Sequence, residues 1–354
     1  MSGNETGTQL AAEDVFRTFK VNAKGRRRAL LTAVNGVSLS IGPAETVALV
    51  GESGSGKSTL GRMMLGLDEP TTGRIVYGGQ DVGSLDRAQW RRFRREVQVV
   101  FQDTGSSLNP RRSIGDSVAM PLRYNLGLDR RAVQGRVGEL LETVGLPPGT
   151  FMHRSPLELS GGQRQRVSIA RALASEPRFI IADEAVSALD VSVRAQVLKV
   201  MKEIQHSRQL SYLFISHDLG VVRAIADRVV VMYLGEIVEA GPASVVMKRP
   251  AHPYTRSLLA AAPRPDPSAR TLIKPHVTGE IPSPIDPPSG CRFHTRCPLA
   301  TDLCATTVPP AVQFDDGSSS ACHFATDVRA GLGPWDSSTA AETTRADKGV
   351  SSTP

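Results

Sequence analysis

The sequence predicts an α/β fold with a small, cysteine-containing extension at its C-terminal end. Three observations carry that prediction. From about residue 13 to 250, short β-rich apolar runs alternate with amphipathic stretches. One run, TVALV (Thr46–Val50), opens directly into a glycine-rich loop and then a helical pattern. All four cysteines of the 354 residues, Cys291, Cys297, Cys304 and Cys322, follow a shift to proline-dense sequence near residue 249.

Taken in order, residues 1–12 form a loose polar tail. TVALV, VQVVF (Val97–Phe101), RFIIA (178–182) and YLFIS (212–216) read as strands, several buried on both faces. DRVVVMYLGEIVEAG (227–241) reads as a hairpin, and the segment from about 103 to 165 is a helix-rich insertion. Proline at the density of RPAHPYTRSLLAAAPRPDPSAR and GEIPSPIDPPSG disfavours long helices and central strands. The main domain therefore spans 13–250 and a loop-rich module spans 251–330. Residues 331–354 are small and polar and read as disordered. No internal repeat is present.

Hydrophobic content of 40% and charged content of 22% exclude a fibrous or wholly disordered chain. The net charge of +7 allows an anionic partner without choosing one. The basic runs KGRRR and RRFRR read as solvated surface, and no basic recognition helix points to nucleic acid. No window approaches 18 consecutive apolar residues, and the N-terminal residues lack a secretory pattern. The chain reads as cytosolic, where clustered cysteines favour a metal or cofactor over disulfides.

The glycine-rich loop is Gly51-x4-Gly56-Lys57-Ser58, within GESGSGKST. Strand before and helix after is the context a phosphate-binding loop requires. Gly51, Gly54 and Gly56 let the backbone wrap a phosphate, with Ser53 and Thr59 in the same loop. Lys57 would reach the β- and γ-phosphates, and Ser58 would place its hydroxyl on Mg²⁺. The bland alternative is a chance glycine-rich turn. RFIIADE supplies a matching acidic pair at a strand end: Asp183 to hold Mg²⁺ and Glu184 to polarise an attacking water. Alone, such a pair is as readily an ordinary turn.

LSGGQRQRVSIARALA offers a second anion-binding helix start, at Ser160, Gly161, Gly162 and Gln163. One nucleotide needs one cradle. Here the sequence resembles the ATP-binding cassette (ABC) ATPases, whose signature is this LSGGQ string. The resemblance implies a RecA-like core, an antiparallel β subdomain and a helical subdomain. It implies two cassettes paired head to tail, each signature closing on the ATP of the other. It further implies that Gln102 is the Q-loop glutamine, a Mg²⁺ ligand with Ser58 and Asp183 that also faces the membrane subunit. Ser187 to Asp190 then form the D-loop, which touches the opposite cassette, and His217 in FISHD is the switch histidine at the γ-phosphate. Phe19 is the aromatic that stacks on adenine, with Phe16 nearby as the rival. The family usually has proline after the catalytic glutamate, and this chain has Ala185.

FQDTGSSLNPRRSIGDSV, SALDVSVRAQVL and HPYTRSLLAAAP resemble the oligopeptide/dipeptide importer branch of that family. This implies an ATPase subunit, peripheral at the cytoplasmic face of the cell membrane. Its partners would be two transmembrane permease subunits, a second cassette (the same chain or a paralogue) and an extracytoplasmic solute-binding protein. Nickel or oligosaccharide importers, and ABC ATPases acting on nucleic acid or ribosomes, are the rival readings. His252 in the HPY tripeptide is assigned no chemistry.

The cysteine spacing is Cys291-x5-Cys297-x6-Cys304-x17-Cys322, wider than zinc ribbons use and unlike the standard ferredoxin spacings. In the importer branch, the pattern resembles one that carries a [4Fe–4S] cluster. Zinc, or packed thiols without a metal, are the alternatives. A cross-link of this kind would stabilise a module with little core.

Overall fold

The computed structural model describes residues 9–23, 26–102, 107–261 and 279–332. The chain divides into two compact units, 1–236 and 237–354. The tails expected at 1–12 and 331–354 lie mostly outside the described residues, although the first strand already begins at Leu10.

The first unit opens with an antiparallel sheet. Strands β1 (Leu10–Ala23) and β2 (Arg26–Ile41) are joined by β4 (Thr72–Tyr77) and β5 (Gln80–Asp81), in the order β2-β1-β4-β5. Between them in sequence come β3 (Thr46–Val50) and helix α1 (Lys57–Met64). Helix α2 (Arg87–Glu96) follows, started by a capping box from Asp86 and Gln89, and leads into β6 (Val97–Phe101). Phe93 and Glu96 are its buried residues, among mostly exposed arginines.

The insertion is helical. Helices α3 (Ile114–Leu126), α4 (Arg130–Thr143), the short α5 (Pro148–Phe151) and α6 (Gly161–Leu173) occupy it. Ser113, Asp129 and Ser160 cap α3, α4 and α6 with side-chain oxygens. Leu122, Val133, Leu140, Leu141 and Val167 share one buried cluster, so the helices close on a common apolar face.

Strand β7 (Phe179–Asp183), helix α7 (Val191–Arg208), strand β8 (Ser211–Ser216), helix α8 (Leu219–Ile225) and strand β9 (Arg228–Tyr233) complete the unit. The order β9-β3-β8-β7-β6 makes a parallel sheet, and its apolar runs are buried as a two-faced sheet demands. Register positions the chemistry. Phe101 pairs with Asp183, Asp183 with Ile215, and Val50 with Ser216. Strands β3, β8, β7 and β6 therefore end within one residue of one another. Gln102, Glu184, Gly51 and His217 are each the next residue, along the carboxyl edge where open parallel sheets bind ligands.

In the second unit, β10 (Glu236–Pro242), helices α9 (Ala243–Val246), α10 (Pro253–Ala261) and α11 (Asp302–Thr306), strands β11 (Ala311–Gln313) and β12 (Ser319–Ala321), and helix α12 (Ala325–Ala330) surround a small core. Strand β12 pairs with both β10 and β11. Ala251, Cys322 and Ala325 pack with Val312, Phe314 and Phe324. His252 and Tyr254 both lie against the ring of Phe293.

Candidate active site

The loop between β3 and α1 is held open by glycine. A Cβ on Gly51 would lie 2.2 Å from the Met232 carbonyl, and one on Gly56 would lie 2.2 Å from the Ala33 carbonyl. Both glycines also have positive φ, 154° and 99°. Lys57 is 5% exposed, and its Nζ donates to the Gly51 and Glu52 carbonyls at 2.8 Å and to Ser55 Oγ at 3.2 Å. Burial lowers its pKa, while Glu184, Asp183 and Glu52 pull in the opposite direction. Ser53 is exposed on the loop and Thr59 sits half-buried in the first turn of α1.

Ser58 Oγ donates to Asp183 Oδ1 at 3.1 Å, across 125 residues. Burial raises the Asp183 pKa; the Ser58 hydrogen bond opposes that and the neighbouring Glu184 adds to it. Glu184 sits in the left-handed region at φ 49°. Its carbonyl accepts from both the Ser187 amide and hydroxyl, at 3.1 and 2.9 Å, which holds the turn in that conformation. Its side chain meets His217: Nδ1 lies 3.3 Å from Glu184 Oε1. Ser58, Gln102, Asp183 and Glu184 line one cavity of about 620 Å³. Phe101, Ser107 and Arg171 line it too, and nothing in their local sequence had singled them out.

Ser160 and Gln163 start α6 with a reciprocal capping box. Gly161 and Gly162 follow Ser160; Gly161 faces the turn before α7 and Gly162 the first turn of α7 itself. A Cβ on Gly162 would be 2.2 Å from Val193 Cγ1, and one on Gly161 3.5 Å from Leu189 Cδ2. Asp190 is the exposed N-cap residue of α7 and makes no side-chain cap bond. Phe19 is half-buried on β1 opposite Leu31, with the Arg17 guanidinium 4.6 Å from its ring centroid. The Phe16 ring, also half-buried, has its edge at Gly36, with Cζ 3.3 Å from where a Cβ would be.

The cysteines cluster in the second unit without a disulfide. A Cβ on Gly290, at φ 61°, would lie 2.4 Å from the Cys304 carbonyl, and Cys291 N–H donates to that carbonyl at 2.8 Å. The Cys297 and Cys322 thiols are both pushed up to about 12, chiefly by burial and further by the other cysteines. Each of these two sulfurs accepts a backbone N–H from the second residue on, Leu299 and Phe324. Among the described residues, however, no group of three or more His, Cys, Asp or Glu side chains is set to hold a metal ion. Neither the cluster nor the zinc alternative therefore has a preformed ligand set there.

Residues 34–187 match the family model described as ABC transporter, and residues 238–304 match that of the oligopeptide/dipeptide transporter C-terminal region. The chain is 50% identical over 83% of its length to "Probable peptide ABC transporter ATP-binding protein y4tS" of Sinorhizobium fredii, and covers 83% of that protein. It is 46% identical over 90% of its length to the di/tripeptide transport ATP-binding protein DppF of Pseudomonas aeruginosa, covering 98% of it. A dimeric ATP-binding cassette solved in a post-hydrolysis state with ADP and Pi superimposes with a TM-score of 0.58 at 28% identity, over 66% of this chain and 98% of that one. This chain belongs to the ABC transporter family and is an ABC ATPase. Within that family it carries the C-terminal region of the oligopeptide/dipeptide transporters. No helix among the described residues is long and apolar enough to cross a membrane.

Proposed function

We propose that the chain is the ATP-hydrolysing subunit of an importer for di- and oligopeptides, with its cassette over 13–250 and an importer extension over 251–330. The observation that carries this is the cleft at the strand ends lined by Ser58, Gln102, Asp183 and Glu184, with His217 against Glu184 and Lys57 next to Ser58 at the start of α1. The names of its relatives support peptide as the cargo.

In this reading, the amides of 51–59 and Lys57 bind the ATP phosphates. Phe19, which carries the Arg17 guanidinium over one ring face, stacks on adenine. Ser58, Gln102 and Asp183 are hard oxygen donors suited to Mg²⁺, which when bound neutralises phosphate charge. Glu184 takes the proton of the attacking water, and His217, with Nδ1 3.3 Å from Glu184 Oε1, contacts the γ-phosphate. Ser160, Gly161, Gly162 and Gln163 face the nucleotide of a second cassette, and Asp190 touches that cassette. A groove of about 420 Å³ beside the cleft, lined by Gln98, Asn109, Met120, Tyr124 and Arg171, suits a permease segment. Tyr124 is 81% exposed there. Two membrane permeases and an extracytoplasmic solute-binding protein complete the assembly, with this chain on the cytoplasmic face.

The four cysteines would hold a [4Fe–4S] cluster. All-thiolate ligation and backbone N–H donors to the sulfurs suit that group. Anaerobically purified protein should then contain iron and sulfide; protein free of both removes the cluster.

Uptake of labelled di- and tripeptides in cells lacking this gene tests the main reading. Wild type should restore uptake and Glu184→Gln should not. In the purified chain, Glu184→Gln should bind ATP normally and lose turnover by about a hundredfold or more. Turnover that survives the change removes Glu184 as the base.

A further inference from the structure

Arg194 stands at the fourth position of α7 and reaches back over its own helix start. Its amide donates to the Asp190 carbonyl at 2.8 Å, as the helix requires. Its guanidinium does something the helix does not require. Nη2 donates to the Leu189 carbonyl at 3.0 Å, in the turn that presents Asp190. Nη1 pairs with Asp218 Oδ2, the residue after His217. The two carboxylate oxygens of Asp218 divide the work: Oδ1 accepts the Gly220 and Val221 amides that start α8, and Oδ2 takes the arginine. The Asp218 amide is in turn held by Ser216 Oγ at 3.0 Å. His217 thus stands between Ser216 and an aspartate held by Ser216, by the α8 amides and by Arg194.

The same turn is coupled at its other end. Glu184 starts it, with its carbonyl taken by Ser187. The side chain of Leu189 lies against Gly161, and Val193 against Gly162. One guanidinium therefore joins the turn at 187–190, the start of the signature helix through Leu189, and the His217–Glu184 pair through Asp218. A planar fork with donors on two edges can bridge two acceptors in different directions; a lysine ammonium on a flexible stem holds such a geometry poorly.

We propose that Arg194 is a positioning residue that ties the Asp190 turn to the His217 turn, so that a second cassette meeting Asp190 resets His217 against Glu184. This rests on the two-cassette reading above. It assigns Arg194 no contact with nucleotide.

The test is steady-state ATP hydrolysis and separate ATP binding by the full chain, for Arg194→Ala, Arg194→Lys, Asp218→Asn and the double variant Arg194→Ala/Asp218→Asn. Asparagine is as good an N-cap as aspartate, so Asp218→Asn keeps α8 started while removing the charge that holds Arg194. We expect kcat to fall about tenfold to a hundredfold in each single variant with the ATP Kd changed by less than about twofold. Lysine should not rescue, and the double variant should be no worse than either single one, because both break the same link. Unchanged kcat in Arg194→Ala and Asp218→Asn overturns the proposal. So does full rescue by lysine, or a loss of ATP binding that matches the loss of turnover. Glu184→Gln, run beside them, separates the two levels: turnover surviving there removes Glu184 as the base and with it the His217–Glu184 pair that the proposal acts on, whereas turnover lost there and intact in Arg194→Ala sinks only the role of Arg194.

Discussion

Lys57 is buried where charge is disfavoured, and three carboxylates offset the loss of solvent. Its ammonium is already aimed at the loop interior by the carbonyls of Gly51 and Glu52. The glycines around it are not equivalent. Gly54 has φ 79° and nothing within 4 Å of where a Cβ would sit, whereas Gly56 has φ 99° and the Ala33 carbonyl at 2.2 Å. Gly54→Ala should therefore cost only backbone strain, about 1–2 kcal/mol of stability, and keep ATP binding. Gly56→Ala should displace the loop from β2 and abolish binding. Thermal melts and fluorescent-nucleotide titration of the two variants check the contrast, and equal effects would contradict it. At this scale the sequence was informative. The spacing Gly51-x4-Gly56-Lys57-Ser58 identified the loop, but which glycine is sterically indispensable depends on Ala33 and Met232, far away in the chain.

Helix α6 shows what an element adds. Its capping box, Ser160 with Gln163, is readable as a local pattern. Ser160→Ala should cost about 1 kcal/mol of stability. The role of Gly162 is not readable, because its constraint is Val193 on another helix. Gly162→Ala would set a Cβ 2.2 Å from Val193 Cγ1, so the two helix starts must part. We expect it to lower turnover far more than stability, in contrast to Ser160→Ala; a variant with normal turnover would show that the two starts can separate freely. The same limit explains the rest of the reading. The apolar runs TVALV and YLFIS were legible as strands because both faces are buried, and VQVVF, at the sheet edge, by its β-branched residues. That their ends lie within one residue of one another, bringing Gln102, Glu184 and His217 to one edge, is a fact of register that no single run contains. Arg171 and Arg194 escaped notice for a related reason: an arginine on a helix is ordinary until its partners, Ser107 or Asp218, come from elsewhere. The cysteine spacing was visible, but not the Gly290 turn that brings Cys291 to the Cys304 carbonyl.

At the scale of the molecule, the C-terminal unit has a pH response written into its core. His252 is 1% exposed and both ring nitrogens are engaged: Nδ1 accepts the Tyr254 amide at 3.1 Å, and the other side donates to the Ala321 carbonyl. Burial pushes its pKa from 6.5 down to about 3, so it is a packing and hydrogen-bonding residue and not an acid–base group. Glu239 caps the same entry to α10 by accepting the Ala251 and His252 amides at 2.6 and 3.1 Å, and burial pushes it from 4.5 up to about 7. The two act in opposite directions. For His252 the unfolded chain binds the proton between pH 6.5 and 3 and the folded chain does not, so stability is lost as pH falls through that window. For Glu239 the folded chain holds the proton between 4.5 and 7, so its stability is lost as pH rises through that window. Each slope is about 1.4 kcal/mol per pH unit. They cancel between 4.5 and 6.5, which predicts a plateau there and a decline below 4.5. His252→Asn retains an oxygen for the Tyr254 amide and removes the titrating ring. With His252 gone, the Glu239 slope stands alone: stability of the unit should fall as pH rises from 4.5 to 7, and the acid decline should shrink. Hydrogen exchange across 251–261 as a function of pH reads this directly. A plateau that survives His252→Asn would mean that the two groups are not opposed, and that the flat region has another origin.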